Sequence, residues 1–477
     1  MSLLIPGTNS IKDTGYDVAN SLRFNSGSSD SLDRTISSSP TDMEKFTISV
    51  WVKRSKLGSE QAIIGQYSSS NFRAKIDFLS DDRLEYIQKN DGSTSANIIT
   101  TRKFRDISAW YHIVMQYDST QSTSSNRIKF YVNGTQETSF DTTSYPAQNL
   151  DGKLNQAGQP LDIGQDGNSS IYFSGYMTEF VFVDGQALDP TSFGEFDSNS
   201  PQIWKPIDVS GLTFGDDGFY LDFENSSSLG ADVSGNSNNF TVNNLTSVDQ
   251  STDTCTNNFA TFNSLSKNDS GTVTFSEGNL QTAHSGSDSR YNSYSTIGVS
   301  SGKWYAEVKY EAKSSNSQND LTVGVAYDVE NLNRQGNEIG TSSGSFSYVG
   351  DNGEKLHDGS SSSYGSTFTT GDIIGIFLDL DNHKLYFSKN GSVVASGDPT
   401  SGSSGTNAAF SLDTGETYFI CAGHGTSTSR TTTYSMNFGS PIGSISSGNQ
   451  DPNGYGNFEY SPQGYYALNT KNLAEFG

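Results

Sequence analysis

Short runs of alternating apolar and polar residues repeat along the chain, and each run is bounded by Gly, Asn, Asp or Ser. The run 46–54 (FTISVWVKR) places every second residue, from Phe46 to Val52, on one face of an extended segment. Because strand side chains alternate between two faces, such runs predict half-buried β-strands. Similar runs occupy 62–67, 74–79, 83–88, 110–117, 127–132, 171–183, 271–276, 303–310, 321–327, 345–349, 373–380, 384–388, 417–423 and 432–438. Helical periodicity is almost absent, so the pattern predicts an all-β protein.

Two Asn-Gly dipeptides, at 133–134 and 390–391, stand between strand-like runs. Asn-Gly is a strong hairpin signal because both central residues of a type I′ turn need a positive φ. The segments 128–140 and 384–396 both follow the order strand, Asn-Gly turn, strand, which indicates two sandwiches of similar build; two unrelated hairpins are the alternative. Within the run 171–183, Gly175 is expected to mark a bulge or bend.

Changes in composition divide the chain, whose 477 residues suffice for several domains. Residues 225–258 are polar with few evenly spaced apolar positions, which predicts an extended connection. The predicted organisation is an N-terminal attachment segment at 1–20, a sandwich at 21–200, a connection at 201–262, a second sandwich at 263–440 and a wrapped tail at 441–477.

The charge balance narrows the possible partners. The formal net charge is −24, and only 17% of residues are charged. Nucleic acid and anionic lipid are therefore not expected as partners, since both require cationic side chains. No run of about 18 apolar residues occurs, so no membrane insertion is expected. Cys255 and Cys421 are too few for a disulfide framework, and the first residues lack a secretory signal.

Catalytic patterns are missing from the sequence. Glycoside hydrolysis needs paired carboxylates that flank the scissile bond. The nearest acid runs are Asp222-Phe223-Glu224, Glu195-Phe196-Asp197 and Asp379-Leu380-Asp381. None has the three-acid pattern of the β-sandwich glucanases, and the run 402–405 (GSSG) is typical of a flexible loop rather than a nucleophile elbow. We therefore predict that the protein is not an enzyme.

Acid-rich turns leave calcium binding open. Asp81-Asp82, Asp216-Asp217 and Asp351-Asn352 could supply the oxygen ligands that calcium takes in flexible geometry. None of them has the 12-residue spacing of a dedicated calcium loop, and the five His residues show no ligand spacing. No cofactor is predicted, with calcium kept as an alternative.

Ligand binding is the remaining chemistry, and loops on a rigid sandwich are where it is expected. Tyr348, Asp351, Asn352 and Tyr364 form the candidate ligand-binding residues. Tyrosine rings can stack on sugars, and Asn can bond hydroxyl groups, at small entropic cost. The alternative is that these aromatic residues cover the local core.

The runs 46–54, 110–118 (WYHIVMQYD), 128–134 and 173–188 together resemble a laminin-G-like domain of the concanavalin A type. The resemblance extends over the first half of the chain. It implies a jelly-roll sandwich there.

The second half resembles a SPRY domain through 302–307 (GKWYAE), 323–326 (VGVA), 371–375 (GDIIG) and 379–391 (DLDNHKLYFSKNG). SPRY domains are also concanavalin-like sandwiches. The two resemblances imply two concanavalin A-like jelly-roll sandwiches in tandem, with a long extended connection and a short C-terminal tail.

The full arrangement is similar to structural proteins of marine tailed bacteriophages, with shared phrases at 20–25 (NSLRFN), 256–261 (TNNFAT) and 464–470 (GYYALNT). This resemblance implies a homo-oligomeric virion component, a tail fibre, spike or capsid fibre, that binds a host-surface glycan or protein. Its N-terminal segment 1–20 would attach it to other virion proteins. The alternatives are a purely architectural decoration protein and a carbohydrate-degrading spike.

Overall fold

The computed structural model describes residues 15–37, 39–168, 170–265, 272–286, 291–313, 321–332, 337–424, 430–445 and 448–477. Residues 1–14, most of the predicted attachment segment, lie outside the described residues. The described chain forms two compact units, one of residues 14–257 and one that contains residues 258–477. We call them the first and the second unit. Each is a β-sandwich, which confirms the predicted all-β fold with two sandwiches in tandem.

Within its described residues, the first unit consists of two large antiparallel sheets and a small two-stranded sheet. Its strands are β1 (Ser21–Phe24), β2 (Ser31–Thr35), β3 (Lys45–Arg54), β4 (Gln61–Ser69), β5 (Phe72–Phe78), β6 (Arg83–Asn90), β7 (Ser93–Lys103), β8 (Trp110–Asp118), β9 (Ile128–Val132), β10 (Thr135–Gln136), β11 (Phe140–Ser144), β12 (Pro160–Ile163), β13 (Gly175–Asp184), β14 (Gly194–Phe196), β15 (Trp204–Pro206), β16 (Phe219–Leu221), β17 (Thr241–Asn243) and β18 (Gln250–Ser251). Sheet A has the order β10-β9-β8-β3-β13-β1-β18, with β16 also paired to β13, and sheet B has the order β11-β7-β6-β5-β4-β12-β2-β17. The core lies between them and includes the stacked rings of Phe46 and Tyr117.

Residues 201–262 differ from the extended connection that the sequence predicts. Strands β15 to β18 lie within this range, and β16, β17 and β18 pair with β13, β2 and β1 of the two sheets. The polar residues between them close turns: the Asp232 carboxylate accepts the backbone N–H groups of Tyr220 and Asn238. Strands of two or three residues are too short to produce a periodic signal, which is why the pattern did not reveal them.

Trp204, on β15, covers part of the outer face of sheet A. Its ring fits so closely against Gly134 that a Cβ there would lie 2.3 Å from a ring carbon. The indole N–H donates to Nδ1 of His112 at 2.8 Å, and Ser49 bonds the other ring nitrogen. Burial lowers the pKa of His112 to about 3, so the imidazole is neutral and structural. Gly134 is therefore needed both for the predicted turn and for this packing.

A bulge interrupts β13 at Glu179, four residues beyond the predicted Gly175. Glu179 has a left-handed φ of 49°, and the pairing with β3 shifts between Thr178 and Val181. The side chain is buried and accepts the Tyr220 hydroxyl at 2.7 Å. Burial raises the pKa of Glu179 to about 8. Gly175 has another role, since a Cβ there would lie 2.1 Å from a β3 carbonyl oxygen.

The first and the last strand of the first unit, β1 and β18, are neighbours in sheet A. β1 pairs antiparallel with β18, with Ser21 opposite Ser251. Just beyond β18, Asp253 forms an ion pair of 2.7 Å with Lys53 of β3. The first and last segments of the unit are thus fixed to sheet A at one place.

The described part of the second unit also consists of two large sheets and a small two-stranded sheet. Its elements are β19 (Thr272–Ser276), β20 (Gln281–Gly286), β21 (Tyr291–Val299), β22 (Lys303–Lys313), β23 (Leu321–Ala326), α1 (Val329–Leu332), β24 (Ser345–Val349), β25 (Glu354–His357), β26 (Ser360–Ser363), β27 (Ile373–Asp379), β28 (Lys384–Lys389), β29 (Ser392–Val393), β30 (Phe410–Ser411), β31 (Tyr418–His424), β32 (Arg430–Asn437), β33 (Asn449–Gln450), β34 (Asn457–Phe458), β35 (Tyr466–Ala467) and α2 (Thr470–Phe476). Sheet C has the order β19-β20-β32-β22-β27-β28-β29, and sheet D has the order β21-β31-β23-β24-β25-β26. The core between them includes Trp304. No helix in the described part of the chain has the length and hydropathy needed to span a bilayer.

The C-terminal residues cover the outer face of sheet C. Phe458 and Tyr465 pack against Tyr305 and Phe377 of the sheet. Glu307, also on this face, accepts backbone N–H groups of Glu459 at 2.9 Å and Tyr460 at 2.8 Å. Burial raises the pKa of Glu307, and these donors counteract part of the rise.

Replacing Glu307 by Gln is expected to loosen this tail. The amide NH₂ of Gln would face a backbone N–H, and an unsatisfied buried donor costs about 1–3 kcal/mol. Hydrogen exchange at the amides of residues 459 and 460 should become faster by one to two orders of magnitude, roughly the equivalent of that cost. Glu311→Gln, in a partly exposed ion pair with Lys309, is the matched control. Unchanged exchange at residues 459 and 460 would contradict the role of Glu307.

Candidate functional site

The predicted ligand-binding residues come together at one corner of the second unit. The turn between β24 and β25 is tied to the segment that follows β26: Gly365 donates to the Gly353 carbonyl at 2.8 Å, and Phe368 donates to the Gly350 carbonyl at 2.9 Å. Gly353 has a φ of 73°, and a Cβ there would lie 2.3 Å from the Gly365 carbonyl oxygen. Both the turn and the close approach require glycine at this position.

Tyr348 and Tyr364 form the floor of this corner. Tyr348 is fully buried in the core, with its ring 5.4 Å from that of Tyr364 and 5.0 Å from that of Phe368. Its hydroxyl donates to the Ser366 carbonyl, and burial raises its pKa to about 12, so it stays protonated. Tyr364 is half-buried, and the Lys355 ammonium lies 5.9 Å from its ring centre. The Tyr348 ring is thus closed to a ligand, and the expectation that it stacks on a sugar is corrected.

Asn352 and Asp351 lie in the turn itself. Asn352 is exposed, but its side chain accepts the Glu354 N–H at 2.9 Å and donates to the Glu354 carboxylate at 2.8 Å. Asp351 is half-buried. Asn352 therefore closes the turn, and its amide is already engaged.

Beside this corner is an open groove of about 390 Å³. We call it the loop groove, and it is lined by Gly365, Ser366, Lys389, Asn390, Ser392, Val393, Val394 and Ala395. One wall follows the segment that Tyr348 anchors, and the other is the hairpin formed by β28 and β29. The predicted tyrosines thus support the groove from below rather than line it.

The loop groove offers polar groups that are not engaged elsewhere. The hydroxyl groups of Ser366 and Ser392 make no hydrogen bond within the described residues, and both residues are exposed. The Lys389 ammonium donates to the Thr367 carbonyl at 2.8 Å and pairs with Asp372 at 3.1 Å. An ammonium has three N–H donors, so one of them remains for a ligand. Val393 and Val394 add an apolar wall.

The backbone beside the groove is strained. Ala395 and Ser396 have φ values of 57° and 55°, in the left-handed region that non-glycine residues avoid. Each left-handed residue costs about 1–2 kcal/mol in conformational energy and is kept in place by its surroundings. At Ser396, the Asn407 side-chain amide donates to the backbone carbonyl at 3.2 Å. Such strain is concentrated at functional sites. The sequence of this wall (SVVAS) is typical of a strand, so only the preceding Asn-Gly turn marked the place.

One of the acid-rich turns considered for calcium, Asp81-Asp82, is engaged in ion pairs. Asp82 pairs with Arg54 at 3.2 Å and with Arg105 at 3.0 Å, and Asp81 pairs with Arg83 at 2.7 Å. In the described ranges, no group of three or more His, Cys, Asp or Glu residues is arranged to hold a metal ion. Calcium binding stays a prediction.

Two family models match the chain, one in each unit. The model described as Concanavalin A-like lectin/glucanases superfamily (Laminin_G_3) matches residues 19–192, and the SPRY domain model matches residues 303–439. The chain therefore contains a concanavalin A-like, laminin-G-type domain followed by a SPRY domain. Both are β-sandwich modules that can mediate binding.

The similar proteins share only a part of the chain. Ran-binding protein 9 of Danio rerio is 34% identical over 96 residues, which is 20% of this chain and 15% of that protein. The ATP-dependent RNA helicase DDX1 of Xenopus laevis is 38% identical over 97 residues, which is 20% of this chain and 12% of the helicase. Among solved structures, the SPRY domain of human HERC1 is 20% identical with a TM-score of 0.29, and the match covers 37% of this chain and 96% of that one.

Proposed function

We propose that the protein is a non-enzymatic binding protein of a bacteriophage particle, and that its loop groove recognises a glycan on the host surface. The observation that carries the binding role is the groove itself. Two unengaged hydroxyl groups and one free ammonium N–H face an apolar valine wall on a rigid sandwich.

The chemistry of the groove suits a sugar ring. A pyranose presents an apolar C–H face and a rim of hydroxyl groups, so Val393 and Val394 can contact the face while Ser366 and Ser392 bond the rim. The volume lies in the range of about 300–1,000 Å³ that small-molecule sites occupy. Both walls are held by hydrogen bonds before a ligand arrives, which lowers the entropic cost of binding.

The particle-borne role is supported by the resemblance of 20–25, 256–261 and 464–470 to phage structural proteins. The net charge of −24 suits a component present in many copies, because like charge keeps neighbouring copies apart in solution. Attachment through residues 1–20 and homo-oligomerisation are part of the proposal.

The double variant Ser366→Ala with Ser392→Ala tests the groove. Loss of two hydrogen bonds is expected to weaken binding about tenfold or more, at about 1 kcal/mol each. Binding is measured on a glycan microarray and by competition of phage adsorption to host cells with purified protein. Ser361→Ala with Ser363→Ala, on the exposed β26, is the matched control and should bind as the wild type does.

Three outcomes would change the proposal. Equal binding by both double variants would place the site elsewhere. If binding to host cells is lost after the cells are treated with protease, the receptor is a protein rather than a glycan. If the protein stays bound to phage particles but the purified protein does not compete with phage adsorption to host cells, the architectural decoration role is favoured.

A further inference from the structure

Lys53 and Asp253 form an ion pair that is almost completely shielded from water. The distance from Nζ to Oδ2 is 2.7 Å, and the side chains are 1% and 2% exposed. Removing both charges from water costs several kcal/mol per ion. An amide formed between the two groups would carry no charge, so their condensation would remove both charges from this buried place at once.

Aromatic side chains enclose this pair. On sheet A, Lys53 lies opposite Trp110 of β8 and opposite Tyr176 of β13. The Nζ atom is 5.7 Å from the centre of the Tyr176 ring. The Trp110 indole N–H donates to the second carboxylate oxygen, Oδ1 of Asp253, at 3.1 Å. A donor at this oxygen stabilises the negative charge that develops on it when a nucleophile attacks Cγ.

The backbone of Asp253 is held in place as well. Its N–H donates to the Ser251 hydroxyl at 3.1 Å, and its carbonyl accepts the Ser21 hydroxyl at 2.6 Å. Lys53 is fixed in the middle of sheet A. Two reacting groups held in contact, without water, react as if at very high concentration.

We infer that Lys53 and Asp253 condense into an intramolecular amide, a covalent cross-link between β3 and the segment after β18. The Nζ atom attacks Cγ, a C–N bond forms, and the bond from Cγ to Oδ2 breaks. Oδ2 leaves as water with two of the three ammonium protons, and the third proton stays on the amide nitrogen. The step is a dehydration and needs no oxidant or further reactant.

Lys75 shows what distinguishes the Lys53 pair. Lys75 also contacts carboxylates, but it is shared between Asp77 at 3.0 Å and Glu60, whose side chain is 39% exposed. Water that reaches Glu60 stabilises the charged state of this pair. Lys75 is therefore expected to remain an ammonium.

Mass spectrometry of the denatured full chain tests the inference. The wild type should weigh about 18 Da less than its sequence, the mass of one water. Digestion should yield a branched peptide joined through Lys53 and Asp253. Lys53→Arg should have its full sequence mass, whereas Asp253→Asn should lose about 17 Da as ammonia and give the same cross-link.

Lys75→Arg is the matched control and should keep the loss of one water. A wild-type protein that is folded by circular dichroism but has its full sequence mass would overturn the inference. A mass loss that persists in Lys53→Arg would also overturn it, because the link would then lie elsewhere.

Discussion

Replacing Tyr348 by Ala is expected to lower the free energy of unfolding of the second unit by about 3–5 kcal/mol, the usual cost of removing a buried aromatic side chain. The Tyr348 ring is fully buried and contacts Phe368 and Phe387 at centroid distances of 5.0 and 5.7 Å. Its removal leaves a cavity under the loop groove and frees the Ser366 carbonyl. Urea unfolding of the full chain, followed by circular dichroism, measures the change.

Tyr348→Phe separates packing from anchoring. Phe keeps the ring and loses only the hydroxyl that holds the Ser366 carbonyl, so the expected cost is about 1 kcal/mol. The hydroxyl anchors the groove wall at Ser366, so ligand binding should weaken by more than the small loss in the free energy of unfolding. A Tyr348→Ala protein as stable as the wild type would show that the ring does not belong to the core.

The first unit is expected to become more stable when Asp162 is neutralised at neutral and alkaline pH. Asp162 is 6% exposed, lies opposite Asp33 on the neighbouring strand β2, and has no ion pair within the described residues. Burial, followed by repulsion from Asp33 and Asp166, raises its pKa from 3.8 to about 7. Three pKa units correspond to about 4 kcal/mol.

The direction of the pH dependence follows from proton uptake. Between about pH 4 and pH 7 the folded state keeps the Asp162 proton and the unfolded state has lost it, so stability falls as the pH rises. Above about pH 7 both states are ionised and the loss is complete. Asp162→Asn should match the wild type near pH 4 and exceed it by up to about 4 kcal/mol at pH 8. Urea unfolding of both proteins from pH 4 to pH 8 measures this difference, in which contributions from Glu179 and other groups cancel. A difference that does not change with pH would contradict the raised pKa.

Alternating patterns predicted the fold well because each long strand buries one face. The run 46–54 became β3, and both Asn-Gly pairs became turns with positive φ at Asn133 and Asn390. Alternation of apolar and polar residues shows which face of a single strand is buried, but not which strands pair with each other. It could not reveal β16 or β17, whose three residues are held by pairing with distant strands.

The sequence could not predict how the candidate site residues are arranged. The tyrosines at 348 and 364 lie at the corner beside the loop groove, but residue type alone does not tell whether a ring lies under a loop or on it. The left-handed backbone at Ser396 is held by a tertiary contact with Asn407 and leaves no trace in composition. Likewise, the acid pair of Asp33 and Asp162 exists only because β2 and β12 pair in this register.

The antiparallel pairing of β1 with β18 determines how the first unit responds to mechanical tension. The chain enters at Ser21 and leaves after Ser251, at the same end of the strand pair. A pulling force along the chain would therefore open this pair one hydrogen bond at a time, and the first connections to be loaded are those of Asp253 to Ser21 and Lys53. While they hold, tension passes from the entry strand to the exit segment through Ser21, Asp253 and Lys53 of sheet A, and sheet B carries no load.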